Sequence, residues 1–361
     1  MINIEEILNI EPFSLDRIEK REFLTRIINE ISKHHYQNSL SYKNMIDGLN
    51  VRLDVNVSLE HIPYLPVRLF KLHDLYSVDK SEIFKILTSS GTTGQAVSKI
   101  FLNRQTASIQ TKVLTKIVSS ILGNKRLPML IVDSDTVIKN RATFSARGAG
   151  ILGFSIFGTQ LTYILDSDMR LLVDKMQEFV EKNKEQNIFI FGFTFMIWQH
   201  LIKECKRLNL KFDLSKASII HGGGWKKLVS ENITSLEFKN QLKEYLNITR
   251  VYDYYGMVEQ TGSIYIECEY NFFHSPVYSD IIVRRPVDFS IADNNESGII
   301  QLISLLPLSY PGHSILTEDE GVILGEDDCK CGRLGKYFKI LGRLKNAEIR
   351  GCSDTYAESI I

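Results

Sequence analysis

Hydrophobic residues in the middle of the chain follow two patterns, one typical of buried strands and one typical of amphipathic helices. Apolar runs at 128–132 and 188–191, and the short stretch Ser-Ile-Ile at 218–220, predict strands that are covered on both faces. Helical segments are predicted between them, including 170–183 and 196–208. Buried strands that alternate with helices are typical of a mainly parallel sheet, so we expect an α/β fold. Ligands of such sheets collect beyond the carboxyl ends of the strands.

The pattern is different before and after this region. Short apolar runs at 84–87 and 99–102 flank a polar loop and predict a hairpin, and a four-residue apolar repeat over 109–121 predicts a following helix. From about residue 262, short alternating strands are separated by Gly, Pro and Asp turns, at 263–267, 281–284, 299–304 and 322–324. We therefore predict an α/β part over 1–261, a β-rich subdomain over 262–343 and a short tail over 344–361.

Composition and charge narrow the possible functions. The 361 residues carry 43 Lys+Arg and 43 Asp+Glu, and this balance argues against a dedicated nucleic-acid-binding protein. The longest apolar run, 188–198, is shorter than the ~20 residues of a membrane span, and the acidic first ten residues are unlike a signal peptide. Five scattered cysteines, an odd number, favour free thiols in a reducing compartment, so we expect a cytoplasmic protein.

The loop of the predicted hairpin is the first candidate binding site. It contains two glycines and several hydroxyl side chains that are suited to phosphate oxygens: Ser89, Ser90, Gly91, Thr92, Thr93 and Gly94. It is not a Walker A loop, because no Gly-Lys-Ser/Thr closes it and a strand follows it. Composition alone favours a solvated hairpin loop, and the ordered string S-G-T-T-G favours a phosphate loop.

Three further segments have the residue types of a nucleotide site. Gly222, Gly223 and Gly224 follow a predicted buried strand and leave room for a flat base, or else form a tight strand-to-helix turn. In YGMVEQTG, Tyr255 is an aromatic that can stack on adenine, Gly256 follows it, and Glu259 is a carboxylate that can hold Mg²⁺. Asp319 can accept hydrogen bonds from ribose hydroxyl groups, or it can lie in a plain acidic turn. Arg343 begins a basic stretch near the end of the chain.

These motifs occur in the order, and at roughly the spacing, of the core motifs of the adenylate-forming, acyl-CoA synthetase-like superfamily. Within it, the segments ARGAGILGFSIFG, HGGGWKK, YGMVEQTGSIYIEC, HSPVYSDIIVRRP and GRLKNAEIRGCSDTYAE resemble the LuxE-type acyl-protein synthetases, from about residue 60 to the end. That family activates fatty acids for a reductase in bacterial bioluminescence. The resemblance implies the large N-terminal domain of an adenylate-forming enzyme, with layered α/β subdomains and a small β-rich subdomain.

The resemblance also implies a reaction and its participants. ATP and a fatty or other organic acid give acyl-AMP, and a thiol then displaces AMP. The hairpin loop would hold the β- and γ-phosphates, the three glycines and Tyr255 the adenine, Glu259 the Mg²⁺, Asp319 the ribose, and Arg343 the ribose or phosphate. An acyl reductase or an acyl-carrier protein is the implied partner.

The segment after Arg343 departs from the superfamily pattern. Only eighteen residues follow it, so we expect the lid domain and its catalytic lysine to be absent or reduced to a tail. Lys345, Lys226 and Lys227 are candidate replacements, although each is more typical of a solvated surface lysine. In LuxE-type proteins a cysteine near the C-terminus takes the acyl group, and Cys352 matches it. Arg350 can lower the pKa of that thiol, and the alternative is a tail cysteine without a role.

Three further patterns in the sequence have more than one interpretation. Cys329 and Cys331 have a spacing seen in metal knuckles, but zinc needs four ligands and no second pair has suitable spacing; His313 and Cys352 are the distant candidates, and we favour a turn. The string G-x-G-x-x-G at 148–153 lacks a preceding buried strand, so we expect a loop near the acyl or nucleotide pocket. The alternating phenylalanines at 189–195 could line an acyl pocket but are more typical of core.

Two other functions remain open at this stage. The acyl group could pass to a carrier protein or to coenzyme A in a biosynthetic cluster. The chain could also be a non-catalytic subunit that binds nucleotide or acyl ligand within a reductase complex, which the short tail suggests.

Overall fold

The computed structural model describes residues 2–89, 96–139, 146–225, 228, 231 and 233–344. Its helices are α1 (Ile4–Asn9), α2 (Arg17–Asn38), α3 (Leu40–Gly48), α4 (Leu69–Leu72), α5 (Arg104–Leu122), α6 (Thr136–Lys139), α7 (Ala146–Ser155), α8 (Val173–Asn183), α9 (Thr194–Met196), α10 (Lys203–Arg207) and α11 (Ser235–Leu246). Short 3₁₀ helices lie at Leu59–His61, Lys80–Glu82 and Val258–Gln260, and Ile197–Ile202 is a π-helix between α9 and α10.

The strands divide between two parts of the chain. They are β1 (Leu65–Pro66), β2 (Lys85–Thr88), β3 (Lys99–Leu102), β4 (Leu127–Ser134), β5 (Gly158–Leu165), β6 (Ile188–Phe193), β7 (Ala217–Gly222), β8 (Arg250–Tyr255), β9 (Tyr265–Glu267), β10 (Phe273–His274), β11 (Ser279–Arg284), β12 (Ser297–Ser304), β13 (Ser314–Glu326) and β14 (Lys336–Arg343). Among the described residues, those between 2–121 and 256–344 form one compact unit, and those between 122–255 form the other. We call them the flanking unit and the central unit.

The central unit contains a five-stranded parallel sheet in the order β8-β7-β6-β4-β5. One face packs against π-helical and helical residues such as Trp198, Phe238 and Leu242 in a largely aliphatic core. The other face carries Phe189 and Phe191, which are fully buried and contact Phe154 of α7. Both faces are therefore covered, which confirms the parallel α/β fold that the apolar runs predicted.

The flanking unit contains an antiparallel sheet in the order β11-β12-β13-β14-β10-β9, with β1 paired parallel to β13. The strands β2 and β3 form a separate antiparallel hairpin. The β-rich segment associates with the N-terminal region: Lys20 of α2 donates to the Ser275 hydroxyl at 2.8 Å, and His35 contacts the Pro307 carbonyl at 3.0 Å. The N-terminal region and the β-rich segment therefore belong to one unit, because β1 pairs with β13 and α2 contacts residues far along the sequence.

Two local expectations are wrong. The segment 148–153 lies in helix α7 rather than in a loop, and a Cβ atom on Gly150 would lie 2.9 Å from the Phe193 ring, so glycine allows this helix to pack closely on the aromatic face. The strand predicted at 322–324 is confirmed as part of the thirteen-residue β13. Because β13 also includes Asp319, the alternative of a plain acidic turn at that residue is wrong. Within the described part of the chain, no helix is both long and apolar enough to cross a membrane.

Candidate functional site

The glycine turn of the central unit lies at the carboxyl edge of its parallel sheet. The register aligns Phe193 of β6 with Gly222 of β7, and Gly222 with Tyr254 of β8. A Cβ atom on Gly222 would lie 2.5 Å from the Tyr254 ring, and one on Gly223 would lie 2.6 Å from the Phe193 ring. Gly223 and Gly224 have positive φ angles of 96° and 79°. The turn therefore needs its glycines for close approach and for left-handed backbone.

A buried polar network holds this turn from the opposite face of β7. The Thr194 hydroxyl donates to the Gly222 carbonyl at 3.0 Å. It also lies 2.9 Å from Nδ1 of His221, and because the hydroxyl has only one hydrogen, His221 is the donor in that contact. Trp225 donates from Nε1 to Asp253 at 2.8 Å, and Asp253 lies 3.7 Å from Nδ1 of His221. Burial, and next the charge of Lys239, lower the pKa of His221 to about 3, so its imidazole is neutral.

These network residues were not among the candidates from sequence. Tyr254 and Asp253 belong to the aromatic string that contains Tyr255, and only the strand register shows that Tyr254 is the ring packed against Gly222. A buried ion pair was also missed at the carboxyl end of β4, where Arg147 Nε lies 3.0 Å from Asp133. Burial raises the pKa of Asp133 to about 6 in spite of the guanidinium beside it. The pattern of apolar residues along the sequence cannot predict such buried ion pairs, because their partners meet only in the folded chain.

The 3₁₀ helix Val258–Gln260 positions Glu259 in the flanking unit. Glu259 is 6% exposed, and its carbonyl accepts a hydrogen bond from the Tyr310 hydroxyl at 2.9 Å. The side-chain amide of Gln260 donates to the Gly312 carbonyl at 2.9 Å. At Gly262, where φ is 88°, a Cβ atom would lie 2.7 Å from the backbone of Gln110. The motif E-Q-T-G thus fixes the Glu259 backbone against α5 and the β12–β13 connection.

A hydrophobic cluster connects the Glu259 helix to the hairpin that bears the predicted phosphate loop. Met257 and Val258 pack against a cluster that includes Ile100 of β3 and Ile315 of β13, with Leu87 of β2 beside it. The hairpin is closed where the Ser98 amide donates to the Ser89 hydroxyl at 2.9 Å. Three predicted segments of one unit, namely the hairpin, the Glu259 helix and the strand of Asp319, therefore share one packed core.

Asp319 and Arg343 are brought together directly. They are paired residues of β13 and β14, and Arg343 Nε donates to Asp319 Oδ1 at 3.2 Å. The Asp319 side chain is 16% exposed and that of Arg343 is 32% exposed, so both remain accessible to a ligand. The register between the two strands shifts beside this pair, between Glu320 and Gly321. Such irregularities are common next to binding sites because they re-aim side chains.

The structure describes some of the remaining predicted site residues and leaves others outside the described ranges. Tyr255 is half-buried at the end of β8, and Gly256 is exposed after it. Outside the described residues lie the loop residues Ser90, Gly91, Thr92, Thr93 and Gly94, the lysines Lys226, Lys227 and Lys345, and the predicted nucleophile Cys352 with Arg350.

Comparison with solved structures identifies the fold. An open conformation of 2-hydroxyisobutyryl-CoA ligase, in complex with 2-HIB-AMP and CoA, aligns with a TM-score of 0.71 over 93% of this chain and 78% of that chain, at 14% identity. The fold is therefore that of the adenylate-forming ligases, as the sequence motifs predicted.

Comparison of sequences defines the family. The family model described as "Acyl-protein synthetase, LuxE" matches residues 2–361, so the chain belongs to the LuxE family of acyl-protein synthetases. It is 23% identical over 353 residues to the long-chain-fatty-acid–luciferin-component ligase of Aliivibrio fischeri, covering 95% of this chain and 90% of the relative. The ligase of the same name from Vibrio harveyi is 24% identical over 356 residues, covering 93% and 87%. This confirms the expectation of an ATP-using, adenylate-forming acid–thiol ligase.

Proposed function

We propose that this enzyme activates a long-chain fatty acid with ATP and transfers the acyl group to a protein thiol. The relatives' names support the fatty acid. The structural observation that carries the proposal is the shared core of the flanking unit, in which the hairpin of Ser89, the helix of Glu259 and the strand of Asp319 pack together. These are the segments to which the resemblance gives the phosphates, the metal and the ribose.

Each part of the reaction has its own residues. An oxygen of the fatty-acid carboxylate attacks the α-phosphorus of ATP, and pyrophosphate leaves. Residues 89–94 would bind the β- and γ-phosphates through hydroxyl and amide donors, and Asp319 would accept hydrogen bonds from the ribose hydroxyls. Arg343, held at Asp319, would contribute positive charge to the ribose or a phosphate. Fixed donors that face developing negative charge lower the barrier of such a step.

Glu259 is the residue that we propose for Mg²⁺. A hard divalent cation prefers oxygen ligands, and this carboxylate sits on a backbone fixed by Tyr310 and Gly262. A bound Mg²⁺ ion would neutralise part of the negative charge of the phosphates. In the central unit, we propose that the turn Gly222–Gly224 and the Tyr255 ring accept the adenine. Gly222 and Gly223 allow the Tyr254 and Phe193 rings to pack against the turn, and a Cβ atom on Gly224 would meet no described atom within 4 Å, which leaves room for a flat base there.

The second half-reaction forms a thioester. A cysteine thiolate attacks the acyl carbon of acyl-AMP, the bond to phosphate breaks, and AMP leaves. We propose Cys352 as this nucleophile, with Arg350 raising its thiolate fraction. An acyl reductase that accepts the thioester is the partner that this product requires.

The test of the first half-reaction is exchange of labelled pyrophosphate into ATP. We expect exchange that depends on added acid and on Mg²⁺. In a panel of fatty, aromatic and amino acids, we expect the fatty acids to support exchange, and the rate to rise with their chain length. Absence of exchange with every acid would contradict the proposal. Nucleotide binding without any turnover would instead support a non-catalytic subunit.

The test of the second half-reaction is a Cys352→Ser variant incubated with ATP and a labelled fatty acid. We expect unchanged pyrophosphate exchange and complete loss of a hydroxylamine-sensitive label on the protein. The matched control is Cys205→Ser, in which a buried thiol of the central unit is changed and the label should remain. A label that persists in Cys352→Ser would contradict the assignment, and label on an added carrier protein or coenzyme A would identify that thiol as the acceptor.

A further inference from the structure

Four potential metal ligands from two hairpins meet in the flanking unit, far along the sheet from Asp319. They are Cys268, His274, Cys329 and Cys331, and one donor atom from each lies within 4.8 Å of all the others. The sequence offered only the C-x-C pair. The distant candidate His313 lies elsewhere, stacked on His35 at 4.8 Å between ring centroids.

Sheet pairing explains why these residues converge. Cys268 follows β9, and His274 is the last residue of β10, which pairs with both β9 and β14. The register places His274 opposite Tyr337, close to the turn between β13 and β14 that carries Cys329 and Cys331. The imidazole is stacked on Tyr337 with ring centroids 5.8 Å apart, which fixes its plane.

The distances match tetrahedral coordination. The sulfurs of Cys268 and Cys329 are 4.0 Å apart, and Cys331 Sγ is 3.3 Å from His274 Nε2. Zinc–sulfur bonds of about 2.3 Å at a tetrahedral angle separate two sulfurs by about 3.8 Å, whereas a disulfide needs about 2.05 Å. Cys268, His274 and Cys329 are buried, so a metal there would be shielded from bulk water.

The local backbone is arranged as in a metal-binding turn. Gly332 has a positive φ of 79°, which favours glycine, and its amide donates to the Cys329 carbonyl at 3.0 Å. The next amide, that of Arg333, is directed at Cys331 Sγ at 3.5 Å. An amide donor to sulfur stabilises a thiolate, which is the form that binds metal. Cys268 begins a second tight turn, in which its amide donates to the Phe272 carbonyl at 2.9 Å.

The surroundings also suit the charge of such a centre. Three thiolates and one neutral imidazole around Zn²⁺ carry a net charge of minus one. Arg333 provides a nearby positive charge: its guanidinium lies over the Phe13 ring at 4.9 Å, and that ring contacts His274 edge-on at 6.2 Å. His274 Nδ1 is buried and finds no hydrogen-bond partner among the described residues, so packing and the facing thiols, rather than a hydrogen bond at Nδ1, locate this imidazole.

We propose that Cys268, His274, Cys329 and Cys331 bind a structural Zn²⁺ ion that joins the β9–β10 turn to the β13–β14 turn. Binding forms three Zn–S bonds and one Zn–N bond and releases the three thiol protons to solvent. Zinc is favoured over harder cations because the donor set is sulfur-rich and tetrahedral, and four protein ligands leave no open position for catalysis. The ion would hold the hairpin end opposite to the Asp319–Arg343 pair.

The experiment is elemental analysis of the full chain, purified under reducing conditions and freed of loose metal by gel filtration. We expect about one zinc per chain, as for a closed four-ligand site. Cobalt exchanged into the wild-type protein should give the intense visible and sulfur-to-cobalt charge-transfer bands of a tetrahedral thiolate site. Zinc far below one equivalent that is not restored by refolding with zinc chloride would overturn the proposal. A weak octahedral cobalt spectrum, or a Cys268–Cys329 disulfide in the purified chain, would overturn it as well.

Variants assign the ligands. Cys331→Ser, at the most exposed of the four positions, should lose the bound zinc and the charge-transfer band. The control variant Cys205→Ser changes another free cysteine in the central unit and should keep both. Zinc content in Cys331→Ser equal to that of the wild type would overturn the assignment. Should that variant fail to fold, the cobalt spectrum of the wild-type chain decides the proposal by itself.

Discussion

The two ends of the β13–β14 hairpin carry different kinds of site. At one end Asp319 and Arg343 face each other as an accessible charged pair. At the other end Cys329 and Cys331 meet Cys268 and His274 in a largely buried cluster. The charged pair belongs to short linear motifs that sequence order reveals. The cluster depends on β10 pairing with β14, which brings in two ligands from more than fifty residues away.

This difference separates two roles for one hairpin. We propose that the charged end binds nucleotide, so changes there should affect turnover. We propose that the sulfur-rich end holds strands together through a metal, so changes there should affect stability. Changes at the two ends should therefore have different consequences, and the following predictions test that separation.

The largest effect is expected for Glu259→Gln. Gln has the same shape and leaves the carbonyl bond from Tyr310 intact, so the fold should remain while the negative ligand for Mg²⁺ is lost. We expect pyrophosphate exchange to fall about 100- to 1,000-fold, the effect of removing one strong electrostatic contact from a transition state. The control Glu178→Gln, exposed on α8, should exchange at the wild-type rate. Equal exchange rates for the two variants would contradict the proposed role of Glu259 in Mg²⁺ binding.

The next effect is expected for Cys331→Ser and concerns stability. Loss of a metal ligand should lower Tm by about 5–10 °C, a shift that corresponds to a few kcal/mol in a chain of this size. Exchange activity per folded molecule should stay near the wild-type value, because the cluster lies at the far end of the hairpin. Differential scanning calorimetry and the exchange assay on one preparation measure both. A large loss of exchange with an unchanged Tm would contradict a structural role.

A smaller effect is expected for Asp319→Asn and concerns activity. Hydrogen bonds to a charged acceptor contribute about 1.5–3 kcal/mol, so kcat/KM for ATP should fall about 10- to 100-fold, mainly through KM. The Tm should hardly change, in contrast to Cys331→Ser. Asp293→Asn, at a 90% exposed carboxylate in a surface ion pair, is the matched control and should alter neither quantity. An unchanged KM for ATP in Asp319→Asn would argue against ribose binding there.

The smallest effect is expected at His221 in the central unit. Burial holds the pKa of this imidazole at about 3, well below its unfolded value of about 6.5. Its neutral form therefore stabilises the fold above pH 6.5, and this contribution is lost as the pH falls toward 3. Between pH 7 and 5.5 the wild type should lose about 1 kcal/mol more unfolding free energy than His221→Asn. Urea unfolding of both proteins at the two pH values measures this difference. Equal losses of unfolding free energy in the wild type and in His221→Asn would contradict a buried, neutral His221.

Sequence patterns predicted the elements whose burial is uniform. The runs at 188–191 and 218–220 correspond to β6 and β7, because strands covered on both faces consist mainly of apolar residues. The strand predicted at 322–324 is confirmed, but it is the end of the longer β13, in which the partly exposed residues Glu318, Asp319 and Glu320 interrupt the apolar pattern. The loop expected at 148–153 was wrong, because these residues lie in helix α7, where Gly150 allows close packing on Phe193.

The candidate site shows the same division. Ordered motifs indicated Glu259, Asp319 and the three glycines because each lies in a compact string of unusual residues. Tyr254, Thr194 and the Asp133–Arg147 pair were not indicated, because their proximity arises from strand register and tertiary packing. The same reason explains why the sequence pointed to only two of the four proposed zinc ligands. The C-x-C pair is a sequence motif, whereas Cys268 and His274 join it only through strand pairing.

The most direct test of the central claim is a crystal structure of the full chain with a non-hydrolysable ATP analogue and Mg²⁺. We predict triphosphate bound at residues 89–94, the Glu259 carboxylate facing the metal, and the ribose hydroxyls within hydrogen-bonding distance of Asp319. A nucleotide bound elsewhere, in contact with none of these three segments, would contradict the account.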